Sequence, residues 1–206
     1  MNSNALLKPI FLVPLLFLLI IQACNVSNKT STDPVEVGRQ REQASAERNN
    51  DTLGKYIDII DFEVNTSNPE YKDGVIPWVS IANPEAEIAQ LKNADEIVIS
   101  QKTVSIVIDY PLTNEYHIDV ESSTGFTRAQ LLKEISKAYH KIYEEEEASA
   151  TIKTIPIEKR TTSYNRNDTN GKYGIWGHDI VDLTLTHIEI YETPAKKLIL
   201  ALITES

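Results

Sequence analysis

From residue 55 onward the apolar positions fall into short periodic runs. Ile60, Phe62 and Val64 alternate with Asp61 and Glu63, the period-two pattern of a strand with one face buried. Asn83-Pro84 then offers a cap with proline at the first helical position, which predicts a short helix to about residue 93. Extended runs over 96–100, 103–110 and 114–121 follow in quick succession. In the last of them Tyr116, Ile118 and Val120 share one face, while Glu115, His117, Asp119 and Glu121 share the other, as in an antiparallel sheet wet on one side. A long helix is predicted over 127–147, with Thr127 as its cap and Leu131, Ile135, Tyr139 and Ile142 at helical spacing, a stripe widened by Leu132 and Tyr143. Residues 198–203 are apolar on both faces, which predicts a strand that is central or covered on both sides. Just before it, Leu183 and Leu185 have one parity and Ile188 and Ile190 the other, so a bulge near Thr186-His187 is needed to restore register. The order predicts an α+β domain over 55–206: an antiparallel sheet of about five or six strands with one long and one short helix packed on it. One point of tension stands out, because Glu144 to Glu147 place four negative charges at the negative end of the long helix. Either the helix frays there or those charges meet a cation.

The N-terminus has a different pattern. Lys8 precedes Pro9 to Ile21, thirteen residues without a charged or hydrogen-bonding side chain, and the run closes on Ile21-Gln22-Ala23-Cys24. A charged start, a short apolar core and a small residue before the cut are the parts of an export signal, and the run is short of the ~20 residues that a membrane span needs. The ending resembles the lipobox of bacterial lipoproteins, with Ile21 where leucine is usual and Gln22 in place of a small residue. That resemblance implies a signal peptide over 1–23, acylation (palmitate among the acyl groups) at Cys24 as the new N-terminus, and a domain lipid-anchored to a membrane of the cell envelope on its extracytoplasmic side, such as the periplasm.

Cysteine usage narrows the chemistry. Cys24 is the only cysteine, and acylation consumes its thiol, so thiol catalysis, disulfides and cysteine-ligated metals are excluded from the mature domain. Lys8 leaves with the leader, so the mature chain carries 19 Lys and Arg against 30 Asp and Glu, net −11. That balance argues against nucleic acid or an anionic membrane face as the main partner. Residues 25–54 are rich in Asn, Ser, Thr, Gln and charged residues and nearly free of large apolar ones. With Cys24 they are expected to form a disordered tether, transiently helical over 36–48 but without an apolar face to dock.

One stretch of the domain looks specialised, Asn165 to Asp182, where Gly171, Gly174 and Gly177 interleave with Tyr173, Trp176 and His178. Such spacing makes a tightly turned loop bearing large side chains. It reads either as a plug at one end of the core or as a binding loop formed by Tyr173, Trp176, His178, Asp179 and Asp182. His178, Asp179 and Asp182 also supply an imidazole and two carboxylates for a divalent metal, with His117, His140 or His187 as candidate completions. An EF-hand fails, because Gly171 at the sixth loop position puts Arg166 first and Gly177 twelfth, where acids are required. No G-x-S-x-G, G-x-x-x-x-G-K-[ST] or G-x-G-x-x-G occurs, so neither a common serine hydrolase nor a nucleotide site is supported. No catalytic set and no cofactor is expected beyond that metal. The favoured expectation is a non-enzymatic envelope lipoprotein whose domain binds a partner protein or glycan. The alternatives are a metal-dependent hydrolase built on His178 and nearby acids, and an immunity or protective protein presenting an acidic face to a basic partner.

Overall fold

The computed structural model describes residues 33–161 and 166–206. The leader, Cys24 and Asn165 lie outside the described residues. In chain order the elements are α1 (Pro34–Ala46), β1 (Lys55–Asp61), β2 (Val64–Asn65), β3 (Val75–Ile76), β4 (Val79–Ser80), α2 (Pro84–Glu87), β5 (Ile97–Ile99), β6 (Thr103–Ile108), β7 (Tyr116–Glu121), β8 (Phe126–Thr127), α3 (Arg128–Ser149), β9 (Thr184–Glu192) and β10 (Leu198–Glu205). The main sheet has the order β1-β9-β10-β6-β7, and β4 pairs with β9 as its sixth strand. All pairs in it are antiparallel except β10 with β6, which is parallel. The domain is α+β, as the order of periodic runs predicts.

Strand β10 lies between β9 and β6 and is therefore central in the sheet; Leu198, Leu200, Ala201 and Leu202 are buried, while Ile199 and Ile203 are partly exposed. Register is restored in β9 where the parity slips. Ile203 pairs with His187 but Thr204 pairs with Leu185, which leaves Thr186 as the extra residue of a bulge whose hydroxyl donates to the Ile203 carbonyl. Leu183, Leu185, Ile188 and Ile190 thereby all reach the core. Leu200→Ala is expected to cost about 2 to 5 kcal/mol as a central core truncation, measured by denaturant unfolding. His117→Ala on the wet face of β7 should stay within about 0.5 kcal/mol, and a Leu200 effect no larger than that would show that β10 is not central.

Helix α3 packs Leu131, Leu132, Ile135, Tyr139 and Ile142 onto the sheet face formed by Ile106, Ile108, Ile188, Leu200 and Leu202. Its start is fixed by a full capping box, in which the Thr127 hydroxyl accepts from the Gln130 N–H and the Gln130 side chain accepts from the Thr127 N–H. Inside the core, the Tyr139 hydroxyl donates to the Tyr110 carbonyl at 2.8 Å, tying the helix to the end of β6.

The stretch expected to be an undocked tether carries α1, and this corrects that expectation. Asp33 caps it by accepting from the Val35 N–H, and Pro34 fills the first turn. No residue described on α1 is buried, which is why apolar periodicity gives no sign of docking. Its contacts are polar. Arg41 pairs with Asp168 at 2.5 Å, Glu42 reaches His178 and Tyr110, and Arg48 beyond the helix pairs with Asp109. From Arg48 the chain crosses the second face of the sheet, where Asn50 donates to Glu189 at 3.0 Å, before entering β1.

Candidate functional site

The glycine loop sits at the end of the sheet where β6 finishes and α3 ends. Its backbone is stitched to the β6–β7 connection: the Trp176 N–H donates to the Pro111 carbonyl and the Thr113 N–H to the Tyr173 carbonyl. Tyr173, Ile175 and Trp176 all point inward and are buried. The Trp176 indole meets the Tyr110 ring edge-on at 5.2 Å between centroids and the His178 ring at 5.4 Å, while His178 stacks on Tyr110 at 5.4 Å and 30°. Trp176 therefore closes one end of the core.

The acidic end of α3 explains how this loop is held. The helix does not fray. Glu145 meets cations, with Lys172 at 2.7 Å and Lys141 at 3.8 Å, and accepts from the Tyr173 hydroxyl. Glu146 does something the pattern of charges does not reveal: fully buried, its carboxylate accepts the backbone N–H groups of Gly171 at 2.7 Å, Tyr173 at 2.8 Å and Gly174 at 3.1 Å. Burial alone would raise the Glu146 carboxyl, but the Thr169 hydroxyl and those three N–H groups outweigh it and hold the carboxyl below its ordinary value. The closeness of this contact dictates a glycine. A Cβ on Gly171 would lie 2.6 Å from the Glu146 carbonyl oxygen and 2.7 Å from its carboxylate. Gly174, by contrast, is required by its positive φ of 63°.

His178, Asp179 and Asp182 lie within one short turn but do not converge. His178 Nε2 is 2.6 Å from Glu42 Oε1 on α1. Asp179 is taken by the Arg160 guanidinium through both oxygens, and Asp182 accepts the Asp179 N–H at 3.1 Å as part of a cap on the 3₁₀ turn Ile180–Asp182. The other histidines are engaged elsewhere: His117 is 3.2 Å from Glu115, His140 is 2.9 Å from the Ala82 carbonyl oxygen and His187 is 3.1 Å from the Thr186 hydroxyl. Among the described residues no group of three or more His, Cys, Asp or Glu is placed to hold a metal ion.

What the structure does bring together is a groove of about 870 Å³ between α1 and the ends of β6 and β10. Arg39, Glu42 and Arg48 line it from the helix side, and Tyr110, Glu189 and Ser206 from the sheet side. The Tyr110 hydroxyl reaches both oxygens of Glu42, at 3.2 and 3.1 Å, and the Ser206 hydroxyl at 2.9 Å. Burial, and then the Glu42 carboxylate, push that phenol well above the usual tyrosine range, so it stays a neutral donor. Arg41 lies over the Trp176 ring, 5.8 Å from its centroid, so α1 covers the aromatic cluster with charged rather than apolar side chains.

No protein-family model matches the chain, nor does any curated protein or solved structure. Of the residues singled out in the sequence, Trp176 and His178 belong to the cluster beside the groove, Tyr173 to the buried base of the loop, and Asp179 and Asp182 to the turn behind it. The residues that sequence reasoning missed are Glu42, Tyr110 and Ser206. Tyr110 had a visible signal, an aromatic just past an apolar strand and before Pro111. Glu42 had none, because nothing in a polar helix marks which carboxylate will face the domain.

Proposed function

We propose that this chain is a bacterial envelope lipoprotein, acylated at Cys24, whose domain is a non-enzymatic binding module for an envelope protein or glycan on the extracytoplasmic side of the membrane. The leader over 1–23 supports the address. The observation that supports the binding part is the groove beside α1, where guanidinium groups of Arg39 and Arg48, carboxylates of Glu42 and Glu189 and the hydroxyls of Tyr110 and Ser206 line one concavity. Both charge signs and neutral hydrogen-bonding groups suit a polar, extended ligand such as a peptide segment or an oligosaccharide. Trp176 supports this surface from beneath rather than presenting its face to a ligand.

Two measurements test the two halves. An acyl-chain probe should label the protein in the membrane fraction and fail to label Cys24→Ser, and equal labelling of both would remove the lipoprotein half. A photo-crosslinking amino acid at Gln43, exposed on the groove wall, should give a discrete adduct in intact cells. If Gln43 gives no more adduct than the same probe at Lys102, exposed at the opposite end of β6, the groove is not the binding surface.

A further inference from the structure

We infer that the loop from Ile152 to Lys159 is a membrane-contacting surface, which seats the domain on the bilayer that carries its own lipid anchor. The inference rests on the lipoprotein reading. Three aliphatic side chains of this loop stand in solvent: Ile152 at 53 %, Ile155 at 43 % and Ile157 at 72 % exposure. A fourth joins them, because Arg160 binds the Ile155 carbonyl with its Nε and Asp179 with its fork, which sets the turn carrying Val181, 71 % exposed, alongside. Isolated exposed aliphatics are ordinary, but three within six residues of one loop, with a fourth beside them, form a patch that water solvates poorly.

The loop itself departs from the acidic balance of the rest of the chain. The net charge of −11 argues against an anionic membrane face for the domain as a whole, but this loop carries Lys153 and Lys159, both exposed, against Glu158, with Glu147 and Asp182 at its borders. Cations flanking exposed aliphatic side chains match the anionic headgroup layer over the acyl boundary of a bilayer.

The position of the tether supplies the second argument. Arg48, past the end of α1, holds Asp109, while Arg41 within α1 holds Asp168. The helix axis therefore leads from Asp109 toward Asp168 as it is followed back to Pro34. Beside Asp168 lies Asn167, whose side chain donates to the Lys153 carbonyl at 3.2 Å and accepts from the Ile155 N–H at 2.7 Å. The first residues of α1 thus leave the domain on the side of the aliphatic loop. Only the nine residues 24–32 separate the start of this helix cap from the acylation point inclusive, and even fully extended they span about 30 Å. A docked α1 converts the 31-residue leash 24–54 into the nine residues 24–32 and holds this face toward the membrane.

The test uses the full acylated protein. Acylation occupies Cys24, so Ile157→Cys and Lys102→Cys each introduce one free thiol for an environment-sensitive fluorophore. The labelled proteins are reconstituted into vesicles of phosphatidylethanolamine and phosphatidylglycerol containing a brominated lipid. The expected result is quenching at position 157 about twofold or more stronger than at position 102. Equal quenching at the two positions overturns the inference while leaving the lipoprotein reading intact. A label at 157 that is shielded from iodide in native envelopes yet unquenched by brominated lipid also overturns it, in favour of a protein partner. Absence of an acyl group on Cys24 by mass spectrometry overturns the lipoprotein reading, and the inference with it.

Discussion

Glu146→Ala is expected to cost about 3 to 5 kcal/mol in denaturant unfolding, because it strands several buried donors at once, each worth about 1 to 3 kcal/mol when left unpaired. The Gly171, Tyr173 and Gly174 N–H groups all converge on this one carboxylate, and each bond is strengthened by its charge. Glu146→Gln keeps the shape but presents an amide NH₂ where only acceptors fit, so it should recover part of the loss and no more. The pH dependence has a definite sign. The folded carboxyl lies below its ordinary value, so its stabilisation is fully present above the pKa of the unfolded chain and is lost as pH falls through the lower, folded pKa. The acid limb of the stability curve should therefore be steeper in the wild-type protein than in Glu146→Gln. A loss under about 1 kcal/mol for Glu146→Ala would mean the loop is held by its other contacts.

Trp176→Ala should also cost about 3 to 5 kcal/mol, the range for deleting a buried aromatic. The indole is 6 % exposed and packs edge-on against both Tyr110 and His178. Its removal opens a cavity at the base of the groove and deprives Arg41 of the ring it lies over. Trp176→Phe refills most of the volume and should lose markedly less. If Trp176→Ala instead left unfolding unchanged while abolishing the crosslink from Gln43, the ring would be a binding platform and its placement in the core would be refuted. This substitution separates the two readings of the loop in a way that glycine replacements do not, since Gly171 is demanded by contact with Glu146 and Gly174 by its backbone.

Much of the fold is legible in the chain because burial of an amphipathic element imposes a period. Tyr116, Ile118 and Val120 on β7, the Leu131 to Ile142 stripe on α3 and the two-faced apolar run of β10 each announce which side is covered. The slip of parity between Leu185 and Ile188 locates the bulge at Thr186 for the same reason, since only an extra residue lets both sets face the core. The pattern proposed as a leader over 1–23 needs no fold to be read, because export and acylation signals are linear segments. Spacing of Gly171, Gly174 and Gly177 likewise marks a constrained loop before any contact is known.

Tertiary structure alone decided the rest, and the cases share a physical cause: polar groups choose partners by position, not by period. The four glutamates at the end of α3 look like a uniform electrostatic defect. In the fold Glu145 meets lysines, while Glu146 turns inward to gather three backbone donors. The helix α1 has no apolar stripe and so no sequence signature of docking, yet Arg41, Glu42 and Arg48 each find a partner more than sixty residues away along the chain. His178, Asp179 and Asp182 sit within five residues, but the turn sends one to Glu42, one to Arg160 and one to its own cap. The periodic burial of side chains wrote the sheet and helices into the sequence. The groove, the buried carboxylate and the seat of the N-terminal helix depend on where distant polar atoms meet once that framework has closed.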